Sequence, residues 1–497
     1  MANSWTLNGL VVGLLLVAAL IRVTDIGHAV DGHLREPYHE IESAGVARAL
    51  HSGEASLLAP RTEWNATLTG WLKPLPAQEG LAATAYRLFG ENDRWLRWIS
   101  YLAAILGVWV FWLLARELLP SAAAEVALLF FVFSPLAVRT ASLAHPSALA
   151  LLLYLVAILA VARWRNSDEK VWFGVALAAT PLAVLVDVAA LHVLLIQAGL
   201  VVTRDGWRAL CGRKHLLLGI SALGVALAWY GAQWTSVGAG ANPPAVPAGV
   251  AWGAVVPSFE ALWRIVLLEL AFVWMPAGVI FAWWGSRWWL SPGQFGYFGW
   301  WLLALLISYL AFAPWTATFG ALSWHVYSLP LAAMCVGLGF AAAMGSLPAA
   351  LGATTNPAKR RLAVILFGIT LANQLALTYL DANTARWSSH YLDAQSFRPH
   401  VPSSARVAVV GEARKDALGA VNRGDAAYYL YWMRRRGQTL APDALRLDGL
   451  VALRADDYGF LIAERRWLAR QPQLDDALRL RFRVVKEGRR AVLFGLR

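Results

Sequence analysis

The chain has 497 residues, of which 58% are hydrophobic and only 15% charged, with a formal net charge of +12 at neutral pH. A soluble domain carries roughly 25% charged residues, so this composition excludes a soluble globular protein and implies many segments inside a bilayer. The positive balance does not mark a nucleic-acid binder, because Lys and Arg fall in short links between apolar runs or in the C-terminal part, a pattern of membrane topology.

Apolar runs long enough to cross a hydrocarbon core lie at 7–23, 96–115, 122–140, 147–162, 171–187, 189–203, 215–232, 259–284, 298–315, 321–345 and 362–380. The expected fold class is therefore an α-helical polytopic membrane protein of about eleven spans, with ten to thirteen allowed. The first run has no convincing small-residue cleavage site behind it and reads as a retained helix, not a signal peptide. The run at 259–284 contains Arg264, Glu269 and Pro276 and is expected to be a re-entrant helix plus a span, its two charges pairing with each other. Pro135, Pro181 and Pro330 are candidate kinks. Cys211 and Cys335 support neither a disulfide framework nor a cysteine metal site.

If residues 1–6 are cytoplasmic, alternate links carry Arg116, then Arg163, Arg165 and Lys170, then Arg204, Arg208, Arg213 and Lys214, then Arg287, then Lys359, Arg360 and Arg361. The opposite links are nearly free of positive charge. The rule that basic residues stay inside then places the loop 24–95 and everything after Tyr379 on the outer face.

That loop is dense in titratable groups: between Asp25 and Arg61 lie six of the 31 acidic residues and four of the ten histidines. Partial desolvation beside apolar walls tunes such groups toward neutrality, as proton transfer or phosphate handling requires. IESAGVARAL and EGLAATAYRLFG read as two short amphipathic helices lying on the membrane surface, or plugging the bundle; Lys73, Arg87, Arg94 and Arg97 are expected to meet lipid headgroups. The division is a membrane domain over 1–380 and a small outer α/β domain over 381–497. In the latter ARVAVVGE and GFLIAE read as strands, DAAYYLYWMRRRG as a helix, and RFRVVKEGRRAVLFGL as a hairpin turning at 487–490.

The candidate base is Glu40 or Glu42, whose i, i+2 spacing on a helix points them to different faces; Asp31 is a further candidate, and His39 and Arg35 are candidates for the acceptor side of the loop. Arg139 and His145, in VRTASLAHPSA, and His325 and Tyr327, in SWHVYSLPLAAM, are candidates for holding a phosphate at the outer ends of spans. For each the plain alternative is a solvated or capping residue. No tight ligand spacing requires a divalent cation, although the carboxylates and histidines could supply ligands.

Several modest motifs, in order, resemble the GT-C glycosyltransferases of family 39, relatives of lipid A aminoarabinose transferase and protein O-mannosyltransferase. HEIESAGVAR is similar to the family's acidic first-loop helix, with His39 at the first acidic position and Glu40 retained; in a related subgroup the acid falls on Glu42. FSPLAVRTASLAHPSALALLLYL matches a third-span exit bearing Arg139, with Ser147 where an acid is usual, and HVYSLP resembles a His-x-Tyr-Tyr-x-x-Pro pattern, with Ser328 for the second Tyr. YWMRRRG resembles an aromatic-basic-Gly helix end. The resemblance implies a polyprenyl-phosphate sugar donor, a lipid, glycan or protein acceptor, and an inverting transfer on the outer face of a bacterial cytoplasmic membrane. The competing class is a transporter or flippase of a lipid-linked sugar, which predicts charges paired near the midplane and internal repeats; no repeat is visible.

Overall fold

Each of the eleven apolar runs carries a helix or a broken helix in the computed structural model, which describes residues 9–23, 37–58, 60, 74–238, 259–289, 291–311, 319–347, 356–383, 388–411, 414–415, 421–422, 427–440, 445 and 457–496. Asp31, Arg35 and Lys73 lie outside the described residues, as does the side chain of His39.

The membrane part begins with α1 (Gly9–Arg22), two loop helices α2 (Pro37–Ser52) and α3 (Ala77–Phe89), and the long α4 (Arg94–Leu118). α5 (Ser121–Phe133) and α6 (Pro135–Ser142) form one run bent by 53°. The bend sits where Pro135 lacks an amide hydrogen and forces Ser134 out of helical geometry, at ψ 125°. α7 (Ser147–Ser167) and α8 (Lys170–Val186) follow, then a 3-10 turn (Val188–His192) that Asp187 caps by accepting from the Ala189 amide at 2.9 Å, leading into α9 (Val193–Asp205). After α10 (Arg213–Gly238) come α11 (Phe259–Leu268), a π-helical turn (Glu269–Trp274) and α12 (Met275–Trp289). α13 (Pro292–Ala311), a 3-10 turn (Phe319–Tyr327), α14 (Leu329–Met344) and α15 (Pro357–Asn383) complete the bundle.

Six of these helical runs are long and apolar enough to cross a membrane, a seventh if the bent pair is one span, and four shorter apolar helices accompany them. The residues 259–289 make one such run, so the expected re-entrant helix is corrected to a span interrupted by the π turn. Arg264 pairs with Glu260 at 2.5 Å one turn earlier and not with Glu269, which faces the opposite way into the bundle. Exposed Leu16, Leu20, Leu106, Ile220, Leu227 and Ile369 give the bundle an apolar outer surface suited to lipid, and the chain is a multi-pass integral membrane protein.

α14 is the buried centre. Its sequence LPLAAMCVGLGFAAAM is built of small residues, and helices in lipid associate by such close approach. A Cβ on Gly339 would lie 1.8 Å from the Phe281 carbonyl oxygen of α12, and one on Gly337 would lie 2.2 Å from that of Ala123 in α5. Glycine at these two positions lets both neighbours touch the α14 backbone.

The C-terminal part follows α16 (Ser388–Phe397) with β1 (Arg406–Val410), the short pair β2 (Arg414–Lys415) and β3 (Val421–Asn422), α17 (Ala427–Met433), β4 (Arg436–Leu440), β5 (Tyr458–Glu464), α18 (Arg465–Ala469), α19 (Pro472–Arg481), β6 (Arg483–Glu487) and β7 (Ala491–Gly495). Its five-stranded sheet has the order β4-β1-β5-β7-β6, with β1 parallel to both neighbours and β5, β7 and β6 antiparallel. The hairpin turns where the sequence predicts. The basic run does not continue the helix: α17 stops at Met433, Arg434 is left-handed at φ 53°, and Arg436 opens β4, where Gly437 lies too close to the Val407 carbonyl for any side chain.

Alternation along β1 divides the cores. Ala408 and Val410 face α18 and α19, whereas Val407 and Val409 join Phe397, Tyr429 and Trp432 in a cluster with Ile41, Ala44 and Ala47 of α2 and Tyr86 of α3. The loop helices are therefore not amphipathic helices lying on the membrane surface. α2 is buried along almost its whole described length, as a layer between bundle and sheet.

Candidate active site

The chain reverses so that α4, α7, α9 and α14 begin, and α5, α8 and α15 end, on the side where α2, α3 and the sheet lie. Polar side chains collect there in three groups.

The first belongs to the loop layer. Glu40 is fully buried, its Oε1 accepting from the Ala144 amide at 3.0 Å and from Arg97 Nη2 at 3.4 Å. Arg97 is 1% exposed, so the expectation that it meets headgroups is corrected. Removing one member of such a pair strands the other charge, which makes Glu40 an anchor of the α6–α7 link. Glu42, on a different face, is half-buried, and Glu79 of α3 is buried beside it and beside Ser43. Burial pushes the Glu79 carboxyl up to about 7, with the Glu42 charge adding to the rise. Glu79 Oε2 has no hydrogen-bond partner among the described residues. Nearby, Gln78 donates to the Leu96 carbonyl and to Ser100 Oγ at 2.8 Å, and Ser100 donates to the His145 carbonyl. His145 Nδ1 lies 2.8 Å from Ser147 Oγ, so the serine that replaces the expected acid opens α7 with this contact.

The second group centres on α6. Arg139 is buried and paired with Asp381 of α15, Nη1 to Oδ1 at 2.9 Å. α6 also packs against the 3-10 turn carrying His325 and Tyr327, so two of the predicted phosphate-binding segments are brought together.

The third lies deeper. Glu269 accepts from His325, Ser328, Tyr309 and Trp274, and Tyr327 donates to Asp187 Oδ2 at 2.7 Å. Behind them Tyr154 and His192 Nε2 are 3.0 Å apart. A cavity of about 330 Å³ opens beside Asp187, between α8 and α10, lined by Val184, Val188, Leu191, Leu223, Leu227 and Tyr230.

Glu79, Asp187, Glu269 and Asp381 are absent from the sequence-based site. A lone carboxylate in an apolar run, Glu269, carried a usable signal; the others acquire meaning only from their tertiary neighbours. A joint that ties the layer to the sheet was equally hidden. Asp93 accepts from Arg48, from Tyr86 at 2.8 Å and from Tyr431 of α17, and the Arg48 guanidinium lies 4.3 Å from the Tyr431 ring centre. Burial first, then the Asp93 charge, raises the Tyr431 hydroxyl well above its ordinary value, keeping it a donor. Among the described residues no three His, Cys, Asp or Glu side chains converge as they would around a metal ion.

Residues 73–230 match the family model described as dolichyl-phosphate-mannose-protein mannosyltransferase. No curated protein matches by sequence. Among solved structures, ArnT from Cupriavidus metallidurans bound to undecaprenyl phosphate shares the fold with a TM-score of 0.63 at 16% identity, over 99% of each chain. Its apo form gives 0.64 at 17% identity over 98% of each. The Archaeoglobus fulgidus oligosaccharyltransferase AglB, in complex with an inhibitory peptide and a dolichol-phosphate, gives 0.58 at 13% identity, over 91% of this chain and 69% of that one. The resemblance read in the sequence is borne out by these matches.

Proposed function

We propose that this chain, a membrane glycosyltransferase of the GT-C class by its family segment and its fold, moves a sugar from a polyprenyl-phosphate donor to a lipid, glycan or protein acceptor at the outer face of a bacterial cytoplasmic membrane. The observation that carries this reading is the mannosyltransferase match over 73–230, a stretch that contains Glu79, Arg97, Arg139, Asp187 and the cavity beside it.

Glu42 is the proposed general base. Glu40 is committed to Arg97, and protonating it would leave a buried guanidinium without its counter-charge. Glu42 is half-exposed, and Glu79 beside it, held near neutrality, stays largely protonated below pH 7 and spares Glu42 a second negative neighbour. Glu42 takes the proton of the acceptor hydroxyl as its oxygen bonds to the anomeric carbon. The bond from that carbon to the phosphate oxygen breaks with its electrons, and polyprenyl phosphate departs from the opposite face, inverting the anomer. Arg139, oriented by Asp381, and His325 with Tyr327 stabilise the departing phosphate, the largest electrostatic demand of the step. The apolar cavity between α8 and α10 has the chemistry an isoprenoid chain needs.

The test is sugar transfer in vesicles holding the full chain, a panel of polyprenyl-phosphate sugars and an extract of acceptors. Wild type and Glu40→Gln and Glu42→Gln variants are compared. Loss of turnover in a normally folded Glu42→Gln protein names the base. Lipid that changes leaflet with no sugar transferred would replace the enzyme by a transporter.

A further inference from the structure

At the end of the bundle opposite the loop layer and the sheet, α9 gives way to α10 through a link with an uneven charge balance. Residues 204–214 hold four cations, Arg204, Arg208, Arg213 and Lys214, against the single acid Asp205. Asp205 pairs with Arg165 near the end of α7, and Lys214 meets Asp168 at 3.5 Å and the Trp164 ring at 5.6 Å. Arg204 donates to the side-chain oxygen of Asn166 at 2.7 Å. The guanidiniums of Arg208 and Arg213 are exposed and have no hydrogen bond, ion pair or ring contact among the described residues.

Their position runs against helix electrostatics. α10 presents the positive end of its dipole to this link, where carboxylates are favoured and cations are not, yet its first turn holds Arg213 and Lys214 and no acid. The connecting 3-10 turn (Trp207–Cys211) buries none of its residues and is held by main-chain bonds, from the Ala209 amide to Gly206 at 3.1 Å and from the Gly212 amide to Ala209 at 2.9 Å. Trp207 is 65% exposed, its ring edge-on to Trp300 of α13 at 5.4 Å, and the next turns of α10 expose Leu216, Leu217 and Ile220. Exposed tryptophan, exposed aliphatic side chains and unpaired guanidiniums within one short stretch match the headgroup level of a bilayer.

We infer that the α9–α10 link is a binding site for an anionic phospholipid of the leaflet at that end, its phosphate held by Arg208 and Arg213 and its chains lying along Leu216, Leu217 and Ile220. The paired donors of a guanidinium match phosphate oxygens, and the positive end of α10 adds to the attraction. The site is separate from sugar transfer and stands if that reading fails. The competing role is a topology signal: cations that keep the link on one side of the membrane during insertion and bind nothing afterwards.

The experiment uses the exposed thiol of Cys211, inside the turn, as a reporter; Cys335 is buried. The full chain carrying a fluorophore on Cys211 is placed in nanodiscs of zwitterionic lipid, and quenching is titrated with spin-labelled phosphatidylglycerol or spin-labelled phosphatidylcholine. Unlabelled protein is melted in discs with and without phosphatidylglycerol, since a ligand of the folded state raises melting. Phosphatidylglycerol is expected to half-quench wild type at a dose about fivefold below phosphatidylcholine, and to raise its melting temperature. Arg208→Gln with Arg213→Gln should abolish both effects while melting in zwitterionic discs stays the same, because neither guanidinium has a protein partner. Arg287→Gln with Arg361→Gln removes the same charge from exposed positions at the same end of the bundle and should leave both effects in place. Equal quenching of wild type by the two lipids overturns the inference. So does a preference that survives loss of Arg208 and Arg213, or one that loss of Arg287 and Arg361 removes equally. Inorganic phosphate at constant ionic strength is expected to leave melting in zwitterionic discs unchanged. A shift as large as that from phosphatidylglycerol, abolished by the Arg208 and Arg213 changes, would make the ligand a soluble phosphate and overturn the lipid site.

Discussion

Glu269 and Glu79 are both carboxylates largely withdrawn from water near one end of the same bundle, yet the first gathers four donors while the second keeps an oxygen with no hydrogen-bond partner among the described residues. Saturation fixes a carboxylate as an acceptor that orients its neighbours. Under-satisfaction in a buried site favours the protonated form and leaves a group whose charge changes near neutral pH. Glu40 belongs with Glu269, held by Arg97 and the Ala144 amide. The molecule thus separates carboxylates held as acceptors, Glu40 and Glu269, from one, Glu79, whose charge changes near neutral pH.

The sharpest way to break this division is Glu40→Gln. If Glu40 is an anchor, the substitution strands Arg97 and lowers stability by about 3–5 kcal/mol, read as a large fall in melting temperature. Adding Arg97→Met to it should recover most of the loss. A Glu40→Gln protein that melts normally but does not turn over would move Glu40 to the proton-transferring side. Glu42→Gln is expected to do the opposite, reducing transfer by about 10²–10⁴-fold with melting unchanged.

Glu79→Gln tests the titrating side through stability. Between the ordinary carboxyl value of 4.5 and about 7 the folded chain holds the Glu79 proton and the unfolded chain has released it, so stability falls as pH rises through that window. The variant cannot titrate there. It should melt above wild type at pH 8 and converge with it below pH 4.5, and equal melting at pH 8 would show that the carboxylate is compensated by other means. The smallest effect is expected at the joint: Tyr431→Phe removes one donor to Asp93, at about 1 kcal/mol, and should shift melting by a few degrees while Glu42-dependent transfer persists at reduced rate.

The apolar helices were legible because such runs need only composition, although six of them, or seven with the bent pair, are long enough to cross a membrane among the described residues; the hairpin 483–495 was legible because alternation and a Gly-containing turn are local signals. The first-loop helices were legible as helices but not in their placement. IESAGVARAL is apolar on more than one face, which a surface helix does not need, and the partner that uses the extra face, Tyr428–Met433, is almost four hundred residues away in sequence. Glu40, Glu42, Arg139 and His325 were legible as titratable or cationic groups beside apolar runs. Their partners Arg97, Glu79, Asp381 and Glu269 were hidden, because each is joined to its candidate by tertiary packing. The π turn has no sequence signature beyond an acid in an apolar run.

The packing of α2 beneath α17 also fixes when the molecule can first work. Ribosomes deliver the loop helices before most of the bundle and Tyr428–Met433 near the end of translation, so a growing chain can insert its spans long before Ile41, Ala44 and Ala47 find the far wall of their core or Arg48 meets Tyr431. The face of α2 that carries Ile41, Ala44 and Ala47 therefore gains its last partners only after Tyr428–Met433 has been made. Truncation late in the chain is therefore expected to loosen the first loop as a lesion within it would.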